Sequence, residues 1–273
     1  MHKIVLVGSL LFTAFIAPAS AADDFRDVAP FTRMAFDVPA RIVLRQADTQ
    51  SVELKGNPEA LAEIETVVRD GALTVANKRK VRWGRFSSPA AAPIDILVSV
   101  KRIEGVTVAS AGVLTAPAPL HVEDARFLVS GAGALQAEVE ATGTLQTEIS
   151  GAGKMDLTGR VKRLDSRING SGTLTLACAV HDDASFAISG SGTVTATGSA
   201  DYLKASISGS GTIRAEGFVV DKSAARISGV GLIALDVKSA LDASISGNGE
   251  VLYKSRPAQL TSHSSGRGKV GAL

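Results

Sequence analysis

Cysteine is nearly absent: the chain has one, Cys178, among 273 residues, so no disulfide can form within it. Aromatic residues make up only 4%, with 1 Trp and 2 Tyr, which leaves the core to Val, Ile, Leu and Ala. Excess charge of one sign is missing as well. Lys and Arg number 29 against 27 Asp and Glu; removing Lys3 with a leader leaves 28 against 27, a net charge of +1. So even a balance excludes a generally basic nucleic-acid binder, and no nucleic-acid partner is expected. Long apolar runs are lacking too. The longest, Ile4 to Ala17, covers 14 residues, short of the roughly 20 that cross a bilayer as a helix.

That run reads as a leader. Lys3 gives a short basic start, and Ala19-Ser20-Ala21 is a small-residue cleavage site. Residues 1–21 are expected to be a signal peptide and the mature chain to begin at Ala22, with no transmembrane segment. The chain is therefore expected in the periplasm of a Gram-negative bacterium or secreted from it. A lipoprotein would carry its cysteine at the cleavage point, whereas Cys178 lies far downstream.

Glycine, by contrast, is plentiful at 27 residues, and its placement is periodic. A phrase of the form Ile-Ser-Gly ends at Gly131, Gly151, Gly170, Gly190, Gly209, Gly229 and Gly247, in steps of 20, 19, 20, 19, 20 and 18 residues. Degenerate copies stand at Val108-Ala109-Ser110 and Ser264-Ser265-Gly266. Further columns keep this register. Six residues after each Ile or Val comes Leu135, Met155, Leu174, Val194, Ile213, Ile233 or Val251, and two later Ala137, Leu157, Leu176, Ala196, Ala215, Leu235 or Tyr253. Apolar residues two apart mark short strands with one inward face, broken at each Gly. The pattern predicts an all-β solenoid of about nine stacked coils with atypical ends, over 106–273.

The column Ser130, Ser150, Asn169, Ser189, Ser208, Ser228 and Ser246 accompanies the glycines. Recurrence in every coil favours a structural role, with hydroxyl and amide groups bonding the corner backbone, over a binding role. Residues 22–105 lack the period and read as an N-terminal β cap continuous with the solenoid. Strands are expected at Arg41 to Gln46, Val52 to Lys55, Ile64 to Arg69, Leu73 to Ala76 and Ile94 to Val100. Asp70-Gly71 reads as a hairpin turn and Pro58 to Ala62 as one helical turn.

From Phe31 through Val38, Leu44, Gln46, Val52, Leu61, Ile64, Asp70-Gly71-Ala72-Leu73 and Ile96 into the Ser-Gly-x-Gly repeats, the chain resembles the putative auto-transporter adhesin, head GIN domain family of bacterial envelopes. The resemblance implies a right-handed, single-stranded β-helix. It carries over no catalytic residues.

One local cluster stands outside the repeat. Lys78, Arg79, Lys80, Arg82 and Arg85 surround the only tryptophan, Trp83, an arrangement suited to an anionic sugar, lipid head group or polyphosphate. The plainer reading is a solvated hairpin tip whose charge keeps an edge soluble. His121-Val122-Glu123-Asp124 and His181-Asp182-Asp183 stand three coils apart, about 14 Å, which is too far to share a metal ion. Cys178 alternates with Leu174 and Leu176 and should be buried. No catalytic, metal or cofactor site is expected. A polysaccharide-active enzyme would need clustered carboxylates on adjacent coils, and Glu138, Glu140 and Glu148 have no acidic counterparts one coil later. The expectation is therefore a non-enzymatic envelope scaffold or adhesin-like module. Its partner would be an envelope polysaccharide, a lipid head group, a protein or another copy of itself.

Overall fold

A computed structural model describes residues 22–78 and 94–273. Alternation of apolar and polar side chains determines the strands. In Ile94–Val100 every second residue is buried, and the same holds in Thr173–Val180 and, up to Val129, in Ala125–Gly131. Coils pair with their neighbours in parallel, so equivalent residues stack. Ile149 lies over Ile168, then Ile188, Ile207, Ile227 and Ile245, all buried. The result is a β-solenoid of about 8 turns.

Corners fall where the sequence places glycine. Gly190 adopts φ +123°, and a Cβ on it would lie 2.5 Å from the carbonyl oxygen of Gly170 in the coil beneath. The second glycine of each corner is needed for space instead: a Cβ on Gly192 would lie 2.6 Å from Cγ2 of Ile168. Ser110 opens the column with φ 63°, close to the left-handed value of about +57° that non-glycine residues visit.

The serine column does not bond the corners as expected. Those contacts run backbone to backbone, as where Ser171 N donates to Gly151 O at 2.9 Å and Thr173 N to Gly153 O at 3.0 Å. Each serine follows an inward Ile, so strand alternation turns it outward. From Ser150 to Ser246 the column, Asn169 included, is exposed.

Inside, large and small side chains share columns. Phe127 stacks over the adjacent pair Thr147 and Ser166, then Phe186, Ala205, Ala225 and Ala243. Thr147 Oγ1 donates to Ser166 Oγ at 2.8 Å, which satisfies two hydroxyls in a buried setting. Phe218 reaches Phe186 edge-on, with ring centroids 5.6 Å apart.

The N-terminal segment continues the stack out of chain order. Arg33–Asp37 lies between Ala72–Asn77 and Gly105–Val108, parallel to both, and Ala40–Gln46 lies likewise between Ile94–Val100 and Val113–Thr115. Beyond them pairing turns antiparallel: Ile64–Arg69 joins Ala72–Asn77, Ser51–Gly56 joins Ile94–Val100, and Ala22–Arg26 joins Ser51–Gly56. Asp70 at φ 49° and Gly71 at φ 70° make the hairpin turn. A single helical turn among the described residues spans Pro58–Ala62, with Asn57 Oδ1 accepting from Glu59 N at 2.8 Å as its cap.

Candidate binding groove

Two outward columns of the strand that enters each corner lie side by side. One runs Arg167, Ala187, Ser206, Arg226, Ser244, His263; the other runs Asn169, Ser189, Ser208, Ser228, Ser246, Ser265. Their contour makes an open groove of about 630 Å³. Its depth has a simple origin. The long Arg167 and Arg226 side chains stand three coils apart, about 14 Å along the axis, and only Ala187 and Ser206 lie between them in that column. The floor is stiff, because the isoleucines between the two columns are buried beneath it.

No Asp or Glu lines the groove. The acidic side chains closest in sequence register are engaged. Asp165 pairs with Arg167 at 2.8 Å, while Glu148 accepts from Arg126 at 2.5 Å and from Asn169 at 3.3 Å. A neighbouring depression shares Arg167 and adds Tyr202, Lys204, Asp165 and Asp183.

Arg79, Lys80, Arg82, Trp83 and Arg85 lie outside the described residues, as does the expected leader at 1–21. Lys78 is described: it is exposed just past Ala72–Asn77, and its Nζ donates to Ala62 O at 2.5 Å.

The two His-containing corners serve surface ion pairs. Glu140 bridges His121 at 3.1 Å and Arg160 at 2.6 Å. Asp182 accepts from His181 at 2.6 Å, and this hydrogen bond, aided by the charge of Arg163, holds its carboxyl below the usual range. Among the described residues no group of three or more His, Cys, Asp and Glu side chains is arranged to hold a metal ion. No helix among them is long and apolar enough to cross a membrane.

Cys178 is buried, as the alternation requires; its Sγ donates to Leu157 O at 3.7 Å, and burial pushes the thiol pKa up to about 11. The folded protein should therefore resist a thiol-reactive disulfide reagent at mildly alkaline pH and react at its single cysteine only after denaturation. Stoichiometric labelling of the folded chain would contradict this burial.

The sequence carries one signal for this groove. The strings Arg167-Ile168-Asn169-Gly170 and Arg226-Ile227-Ser228-Gly229 place arginine at the same register position in two coils. Only the intervening small residues turn that recurrence into a groove.

Parallel coils with a hydroxyl-lined groove on one face define a β-solenoid. The chain belongs to the family described as putative auto-transporter adhesin, head GIN domain, whose model matches residues 30–194 and 167–257. No curated protein matches the chain. Among solved structures, a putative adhesin from Parabacteroides distasonis is similar with TM-score 0.69 and 20% identity, covering 93% of this chain and 98% of that one. A putative adhesin from Parabacteroides merdae has the same TM-score of 0.69 and 20% identity, covering 93% and 96% respectively. A protein from Parabacteroides distasonis described as a putative lipid binding protein follows with TM-score 0.67 and 19% identity, covering 93% and 96%. At these identities the likeness is one of fold.

Proposed function

We propose that the chain is a non-enzymatic, exported envelope protein acting as an adhesin-like interaction module, with its partner seated in the groove between Arg167 and Arg226. The groove itself carries this reading: two side-chain columns are held in register by parallel backbone pairing, with basic residues at intervals and small polar residues between. A face ordered before binding loses little freedom when a partner arrives. The leader-like start at Lys3 to Ala21 supports export. Engagement of Glu140 and Glu148 in ion pairs supports binding over acid–base chemistry. Fold relatives described as putative adhesins fit a role at the cell exterior, and the one described as a putative lipid binding protein makes a lipid partner an outcome to be tested.

Co-sedimentation of the purified protein with a Gram-negative envelope preparation tests the proposal. Ser208→Trp fills the groove from an exposed strand position and should abolish co-sedimentation. Replacing Lys78, Arg79, Lys80, Arg82 and Arg85 with Ser should leave it intact. Loss in the second variant but not the first would move the site to the basic loop. Absence of co-sedimentation by the parent, or shortening of the envelope glycans on incubation, would overturn the binding-module reading.

A further inference from the structure

The rim of the groove sets the chemistry of its occupant. Arg226 projects from the middle of the trough, and among the described residues none of the ion pairs engages it. Arg167 stands at one end, held by Asp165 through one guanidinium nitrogen, and His263 stands two coils beyond Arg226. The lining itself holds no carboxylate: Asp165 and Glu148 flank only the Arg167 end, where Glu148 accepts from Asn169 at 3.3 Å, and Asp242, exposed two residues before Ser244, lies outside it. A trough with a permanently charged Arg226 at its middle and no acid in its lining selects an anion.

Shape and side-chain type narrow the class further. From Asn169 to Ser265 the groove crosses five coil steps, about 24 Å, and is open along its length. A compact ion would touch a fraction of it, whereas a linear polymer laid along the axis meets one hydroxyl or amide from the second column at every coil. Those groups both donate and accept, which suits a ligand rich in hydroxyls. No Phe, Tyr or Trp lines the groove, so the large stacking faces that hold single-stranded nucleic acid are missing from it. A membrane surface calls for clustered Lys and Arg on a convex or flat face rather than charges spaced about 14 Å apart around a recess.

We propose that the occupant is a linear acidic polysaccharide lying along the solenoid axis. Its carboxylates pair with Arg226 and Arg167, and its hydroxyls bond the column from Asn169 to Ser265. This assignment rests on the groove being the binding site.

Calorimetric titration of the full protein with oligogalacturonate and oligomannuronate tests it, with a neutral glucose oligomer of equal length and phosphatidylglycerol vesicles as the other arms. At least one acidic oligomer should bind, and raised salt should weaken the binding. Arg226→Gln should reduce its affinity about tenfold, and Arg226→Lys, which keeps the charge but not the planar fork, should recover part of that loss. Circular dichroism and melting of both variants should match the parent, since Arg226 is exposed. Equal binding of the neutral oligomer, binding of vesicles alone, or indifference to Arg226→Gln would each overturn the assignment. If Ser208→Trp abolishes envelope co-sedimentation while neither acidic oligomer binds, the polysaccharide assignment falls and the groove remains the site.

Discussion

Gly190→Val should lower the melting temperature by roughly 10 °C, a loss of about 4 kcal/mol in a chain of this size. Two costs combine. At φ +123° a β-branched residue sits in a region that L side chains rarely adopt, which alone costs about 1–3 kcal/mol. In addition, its Cβ would lie 2.5 Å from Gly170 O, a backbone atom already held by the hydrogen bond it accepts from Ser191 N at 2.9 Å. Neither cost can be relieved locally, because moving the corner shifts every residue in register with it. Gly71→Ala provides the contrast. There φ is +70° and nothing lies within 4 Å of the new Cβ, so only the conformational cost of about 1 kcal/mol applies. Thermal melts of the two variants should differ severalfold in their shift; similar shifts would mean that crowding between coils contributes little.

Phe218→Ala should cost about 3–5 kcal/mol, the range for removing a buried ring from a packed interior. Phe218 is fully buried and meets Phe186 in an edge-to-face contact at 5.6 Å. Phe186 is held in its own column by parallel pairing, and the residues that follow it there, Ala205, Ala225 and Ala243, are too short to fill the void. Combining it with Phe186→Ala should cost less than the sum of the two single changes by about 0.5–1.5 kcal/mol, the portion belonging to the ring pair. Denaturant titration of the four proteins measures this; strict additivity would show that the two rings do not interact.

Much of the fold was legible because each coil repeats the same physical problem. An inward Ile, an outward Ser and a corner Gly at near-constant spacing leave one solution, and the structure stacks those residues column on column. The Asp70-Gly71 turn and the helix after Asn57-Pro58 were readable from local chemistry, since each depends only on adjacent residues. The insertion of Arg33–Asp37 between Ala72–Asn77 and Gly105–Val108 was not readable. All three strands present the same alternation, and parallel pairing leaves no turn to reveal which lies beside which. Three residues between Ala215 and Val219, where the partners Leu235 and Asp236 are consecutive, shift the ladder against the next coil, and they are invisible to a columnwise reading.

The groove was hidden for a different reason. Serine beside a glycine corner has an obvious backbone role, and nothing local says that backbone carbonyls already fill it. Only lateral neighbours, such as Ser206 and Arg226, separate a structural ladder from a lined trough.

Spin-label distances along that ladder test the central claim most directly. With nitroxides on Ser130→Cys paired with Ser228→Cys or Ser265→Cys, five and seven coils apart, the account predicts separations of about 24 and about 34 Å, with the labels at 228 and 265 mobile in solvent. Buried Cys178 should stay unlabelled. Distances that fail to grow with coil number, or labels immobilised in the interior, would contradict an outward column running the length of the solenoid.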